Sequence, residues 1–285
     1  VNPDARAIVT YTPESGLNRP VALLREMWDD LPVARQLAWR LMLRDLRAQY
    51  RQSILGFAWA FLPAMATAIG FSLANRAQVL NIGETDLPYP VYVLLSMVLW
   101  QSFVASMNGP LTAIASAKAM ISRVKFPRES IILAKLGEEL FNLCVKLVPV
   151  SLALIWFRVP IAPTIVLAPL GLMALMGFGA MIGALLTPMG VMYQDIGRGM
   201  TLVAGGWMLL TPVVYPLPGP GTFGTIVRLN PVTPLLVTTR ELATTGNLSM
   251  PMGFVAVVGL MALAALPVWV VFRLAMPYAI ERVTS

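Results

Sequence analysis

Between residues 37 and 52 polar and apolar positions follow a helical period, and the pattern then stops abruptly. Arg40, Arg44, Arg47 and Arg51 recur at spacings of four, three and four. A helix turns about 100° per residue, so these four share one side, while Trp39, Leu43, Leu46 and Tyr50 share another with Met42 beside them. Residues 52–75 then run 24 positions without a charge. As a helix that is roughly 36 Å, enough to cross a bilayer with some tilt. The pattern predicts an amphipathic helix over 37–52 on a membrane surface, leading into a first span at 53–75. Arginines so placed mark the cytoplasmic side.

Five more apolar runs follow. The second, near 89–109, contains Trp100 and ends at Asn108-Gly109-Pro110. The third, near 130–157, carries Lys135, Glu138, Glu139 and Lys146. The fourth, near 164–187, sets Gly179 and Gly183 at the small-xxx-small spacing that permits close helix packing. A fifth begins after Arg198 and is interrupted at Pro212, Pro216, Pro218 and Pro220, and the sixth covers 251–272 and ends at Arg273. Alternating six spans from a cytoplasmic tail at 1–36 puts 15 Lys and Arg inside, the tail at 274–285 included, and 4 outside. That asymmetry predicts both termini in the cytoplasm. The stretch 211–246 has apolar pieces at 222–227 and 233–237 that are too short to span. It reads either as an ordinary external loop or as a pair of short re-entrant helices buried against protein. We take the re-entrant pair, over 217–246, as the expectation. No inverted repeat of the kind found in many secondary transporters is visible.

Composition sharpens the class. The chain has 285 residues, 57% hydrophobic and 12% charged, with mean hydropathy +0.72. Soluble domains carry about 25% charged residues, so the prediction is an all-α polytopic membrane protein. The net charge of +7 does not indicate nucleic acid, because eight arginines precede the first span, a positive-inside signature. Cys144 stands alone, which excludes an intrachain disulfide, and there is no histidine. Ser-His-Asp catalysis, histidine-ligated metal and histidine proton relays are thereby excluded, and no metal site is expected. Residues 1–36 are charged and lack an apolar h-region, so no cleavable signal peptide is expected. No GxxxxGK[ST] loop occurs, so nucleotide hydrolysis, if it drives the protein, belongs to a separate chain docking on a cytoplasmic surface.

Three sets of residues are candidates for function. The region 110–129 holds Lys118, Arg123, Lys125, Phe126, Pro127, Arg128 and Glu129. With Ala113, Ala117, Met120 and Val124 on one helical face, it reads either as a docking surface or as a solvated connection whose charges set topology. In the third run Lys135, Glu139, Asn142 and Lys146 form one polar stripe. Lys135 and Glu139 fit an interfacial i,i+4 pair, whereas Lys146, four to five turns in, is expected to face a hydrated pathway or a partner subunit. Trp59, Tyr92, Trp100 and Tyr215 have faces that can stack on sugar rings, although each alone fits an interfacial aromatic belt equally well. No facing carboxylate pair of the glycosidase kind can be identified.

Several stretches in collinear order resemble the membrane subunit of ABC exporters for bacterial surface polysaccharides, the O-antigen, capsule and teichoic-acid types. Arg44-Asp45-Leu46 followed by Gln49-Tyr50-Arg51-Gln52-Ser53-Ile54-Leu55-Gly56-Phe57-Ala58-Trp59-Ala60 is similar to the family's RDLKxRYRQSxLGxxWA. Phe126-Pro127-Arg128-Glu129, Thr211-Pro212-Val213-Val214-Tyr215-Pro216-Leu217 and Leu229-Asn230-Pro231 follow in the family's order. Upstream, Leu23-Leu24-Arg25-Glu26-Met27-Trp28 is similar to the start of O-antigen-type members. The chain departs from the family pattern at Gln194, where Arg is usual, at Leu62 before Pro63, where Gln is usual, and at Asn142, where an acid is common.

The resemblance implies a homodimeric channel of six spans per chain in the bacterial inner membrane. It also implies two copies of a separate ATPase that binds ATP and Mg, a lipid-linked polysaccharide as cargo, and no cofactor on this chain. It places the coupling helix within 110–129, the interface helix at 37–52 with Tyr50, and gate helices on the external side with Pro216, Asn230 and Pro231. Within transport, a teichoic acid or capsule polymer stays open as the cargo. A membrane-embedded glycan-processing enzyme or a secondary transporter are the other classes, separated by glycan turnover and by dependence on an ion gradient.

Overall fold

The computed structural model describes residues 20–51, 56–79, 82–121, 127–193 and 195–284. The described residues are mostly helical, with no strand among them. In order come α1 (Pro20–Arg51), α2 (Ala58–Arg76), α3 (Tyr89–Ile121), α4 (Glu129–Trp156), a 3-10 turn (Pro163–Leu167), α5 (Ala168–Met192), α6 (Asp195–Leu209), α7 (Thr222–Leu229), α8 (Val232–Ala243) and α9 (Pro251–Thr284). Five helices are long and apolar enough to cross a membrane: Ala58–Arg76, Tyr89–Ile114, Glu129–Trp156, Pro163–Met192 and Pro251–Ile280. The chain is therefore a polytopic helical membrane protein.

The expected fifth run forms only the 15 residues of α6, about 23 Å, short of the roughly 30 Å hydrocarbon core. Pro212 is the reason. It has no N–H to donate and disfavours helical backbone at Thr211, so the helix stops and the chain turns through 210–215. Other boundaries also move. The amphipathic helix begins at Pro20, inside the expected tail, and α3 continues to Ile121 through most of the expected 110–130 loop. The expected tail after Arg273 continues α9.

α3 occupies the centre. Val91, Val93, Val98 and Phe103 are fully buried there, and α2, α4 and α5 pack around them. The approach of α5 to α3 is set by Gly179 and Gly183. A Cβ on either would fall 2.6 Å and 2.3 Å from the carbonyl oxygens of Phe103 and Met107, so only glycine lets the two backbones meet. The two helices that precede α3 both reach α4. α1 packs along the first half of α4, with Met42 against Gly137, and α2 packs along the second half around Pro149 and Ala153.

Candidate functional site

The first group of candidates gathers where α1 passes along α4. On α1 Met27, Ala34, Ala38, Leu41 and Leu46 are buried, and Ala38 and Leu41 pack near Ile131 and Ala134 of α4. Arg40, Arg44, Arg47 and Arg51 are exposed, as a basic face should be. Trp39, expected on the apolar face, is also exposed. Near the end of α1, Tyr50 Oη donates to Asn142 Oδ1 at 2.6 Å. The ring of Tyr50 lies 4.3 Å from Phe57, and Phe57 lies 6.1 Å from Phe141. Burial and, after it, the nearby carboxylates of Glu138 and Glu139 push the Tyr50 phenol above its ordinary range.

Lys146 lies on the same face of α4 as Asn142. Its Nζ donates to Glu139 Oε1 at 2.5 Å within α4, and both side chains are buried. The acid is seven residues away on the same helix, so Lys146 has an ion-pair partner within its own chain. Lys135 pairs with Glu138 at 2.6 Å rather than with Glu139. The first three turns of α4 run beside α1 and also beside α3 and α9, with Ile131 and Ala134 near Ala113, Ile114 and Phe272.

A second group forms where α3, α6, α7 and α8 meet. Tyr92 is buried in α3 and donates to the carbonyl oxygens of Tyr215 at 2.7 Å and Pro212 at 3.3 Å. Tyr89, one turn earlier, donates to that of Val214 at 2.9 Å. Arg240 of α8 lies 4.0 Å over the Tyr92 ring, with Nη1 donating to Ser96 Oγ at 2.9 Å and Pro212 O at 3.1 Å. Asn230 ties the other side. Its Oδ1 accepts from Trp207 Nε1 and the Val232 N–H, and its Nδ2 donates to Leu210 O and Thr211 Oγ1, all within 2.9–3.1 Å. Pro231 then opens α8, which is buried from Val232 through Leu242 against α3, α5 and α9. Pro216 packs near Gly83, and Tyr215 Oη donates to Leu209 O at 2.8 Å. The Glu241 carboxyl is raised by burial, against hydrogen bonds from the Ser249 N–H and hydroxyl at 2.8 and 2.5 Å.

The third group lies at the start of α4. Ser130 N–H and Oγ both donate to the Pro127 carbonyl, so Pro127 caps the helix. Glu129 accepts from Trp269 Nε1 and Arg273 Nη1 of α9 at 3.2 Å each, and Arg273 also pairs with Asp30 of α1. Burial lowers the Arg128 guanidinium, partly offset by Glu129. Three helices are thus joined by one carboxylate–guanidinium chain. Arg123, Lys125, Phe126 and the side chain of Lys118 lie outside the described residues.

The expected pathway residues fall into separate places. Tyr92 and Tyr215 are joined, Asn142 and Lys146 share one face of α4, Trp100 is buried against Phe103 at 5.3 Å, and Trp59 stands exposed on α2. Sequence reasoning missed Arg240, counted only as an external charge. Its signal was available: an Arg-Glu pair inside the otherwise uncharged 229–249.

No family model matches the chain. It is similar to the O-antigen export system permease protein RfbA of Myxococcus xanthus, 27% identical over 200 residues, which is 69% of this chain and 73% of that one. A Klebsiella pneumoniae protein of the same name is 26% identical over 215 residues, 72% of this chain and 79% of its own length. These similarities bear out the resemblance to polysaccharide-exporter permeases and support that family.

Proposed function

We propose that this chain is the transmembrane permease subunit of an ATP-driven exporter that moves a lipid-linked, O-antigen-type polysaccharide across the bacterial inner membrane. The observation that carries the reading is the similarity to O-antigen export permeases over about 70% of the chain, on an all-helical fold with five membrane-length helices. A long polar polymer does not fit an occluded pocket, so it calls for a continuous channel. One copy is packed at its centre, where α3 buries Val91, Val98 and Phe103, which supports a conduit between two copies. The permease does no chemistry of its own. ATP and Mg belong to two copies of a separate ATPase, docked on the cytoplasmic side at 110–129. There the Glu129–Arg273–Asp30 chain offers a mechanical link from that surface to α1 and α9. Both termini are cytoplasmic in this arrangement, α6 together with the turn after it serves as the remaining crossing, and α7 and α8 are the external re-entrant gate. Tyr215, Pro216, Asn230 and Pro231 stand on that gate, while Trp59, exposed on α2, is the candidate for contact with cargo.

The test is a cell lacking this chain, complemented with it. Lipid-linked glycan should accumulate on the inner face without the chain and reach the surface with it, only when the ATPase can hydrolyse ATP. Normal surface glycan in the deletion overturns the reading.

A further inference from the structure

A cavity of about 540 Å³ opens between α1 and the cytoplasmic-side ends of α3 and α4. It is far larger than the roughly 30 Å³ share of one water and falls within the roughly 300–1,000 Å³ of small-molecule sites. Its α1 wall carries Arg44 and Asp45, its α4 wall Lys135 and Glu138, and Leu41 and Ile131 supply apolar floor. The charges pair along each wall and not across the space. Arg44 meets Asp45 at 2.8 Å and Lys135 meets Glu138 at 2.6 Å. Among the described residues no ion pair joins the two walls. Each wall therefore presents a cation and an anion side by side to whatever occupies the gap.

We infer that this cavity binds the headgroup of a zwitterionic phospholipid with a primary amine, phosphatidylethanolamine. The charge pattern selects it. An anion alone, such as a phosphatidylglycerol headgroup or a pyrophosphate, gains Arg44 and Lys135 but meets Asp45 and Glu138. A cation alone has the reverse problem. A phosphoethanolamine group places its phosphate between the guanidinium and the ammonium, and its own –NH₃⁺ between the two carboxylates. A primary ammonium supplies three donors for those carboxylates, whereas a choline headgroup supplies none. Charge-assisted hydrogen bonds form on both halves of the ligand.

Position favours a lipid over a soluble molecule. The cavity lies beside the part of α1 just before Tyr50 and Phe57, which pack where α2 enters its span. On the reading of α1 as a membrane-surface helix, that is the level of the headgroups, and the apolar floor accepts the first carbons of the lipid. The occupant locks α1 to α4 at the point where the polar seam of Tyr50 and Asn142 begins.

The experiment uses the full chain, purified in detergent and stripped of lipid, with phosphatidylethanolamine, phosphatidylcholine and phosphatidylglycerol added separately. Retention is read by native mass spectrometry and by thermal unfolding. Phosphatidylethanolamine should be retained about tenfold better than either of the others, the worth of one charge-assisted hydrogen bond. Asp45→Asn with Glu138→Gln should remove that preference, and Ala48→Trp, which fills the cavity without touching a charge, should remove it too. Equal retention of the ethanolamine and choline lipids, or a preference that survives both variants, overturns the site. Equal binding of glycerophosphoethanolamine, which has no acyl chains, overturns the lipid as its source. Export activity is not part of the readout, so the site stands or falls apart from the transport function.

Discussion

The seam between α1 and α4 buries an ammonium, and the module formed by α6, α7 and α8 buries a guanidinium. Lys146 in the seam is satisfied by one carboxylate on its own helix, Glu139 at 2.5 Å. Arg240 in the module is satisfied by a ring, a hydroxyl and a backbone carbonyl drawn from α3 and from the turn at Pro212. The first solution is local and stoichiometric: one charge cancels one charge on the same helix. The second is distributed, and it does structural work, since Arg240 and Tyr92 hold carbonyl groups of a proline-broken segment that has no helix to satisfy them. Charge pairs tolerate removal in pairs, whereas a hub leaves orphans whichever partner is removed.

That contrast can be broken by substitution. The largest effect is expected for Lys146→Leu, which strands Glu139 in a buried site and should cost about 3–5 kcal/mol of stability. Combining it with Glu139→Met should restore stability to within about 1 kcal/mol, since both charges are then gone. Thermal unfolding of the detergent-solubilised chain checks both. A double variant as unstable as the single one would mean that the pair holds something besides itself.

Next in size is Arg240→Ala, expected to cost about 2–4 kcal/mol from lost charge-assisted hydrogen bonds and the cation–π contact. Here no second substitution should rescue. Ser96→Ala on top should leave the loss in place, because the Pro212 carbonyl remains without its donor. Arg240→Lys should recover at most about 1 kcal/mol, lacking the planar guanidinium that stacks on the Tyr92 ring. Full rescue by Lys would reduce Arg240 to a plain charge.

Asn230→Asp sharpens the same point at about 1–3 kcal/mol. It keeps the acceptor for Trp207 and Val232 but loses both donors, to Leu210 O and Thr211 Oγ1. Protease susceptibility of the 210–221 segment is the direct readout and should rise. The smallest effect, about 0.5–1.5 kcal/mol, is expected for Tyr50→Phe, which removes a single neutral hydrogen bond to Asn142 and keeps the packing against Phe57. A larger loss on unfolding would make Tyr50 a hub like Asn230.

The sequence by itself determined the solvent and the scaffold. Uncharged runs of membrane length, the basic face of Arg40, Arg44, Arg47 and Arg51, and the paired glycines of α5 are local patterns, and burial in lipid or against a helix leaves few other solutions for them. The resemblance at residues 44–60 and 211–217 is likewise a property of order along the chain. The seam was half legible. The stripe of Lys135, Glu139, Asn142 and Lys146 follows from helical spacing, but which acid meets which base depends on rotamers and on what α1 covers. The module was the least legible. Arg240 and Ser96 are 144 residues apart, and Tyr92 and Tyr215 123 apart, so no window of sequence contains both partners. Helical periodicity reports which face of a segment is apolar, and it carries no information on which distant carbonyl a buried donor will find. That assignment is made only when α3, α6 and α8 pack together and each buried polar group must take a partner within reach.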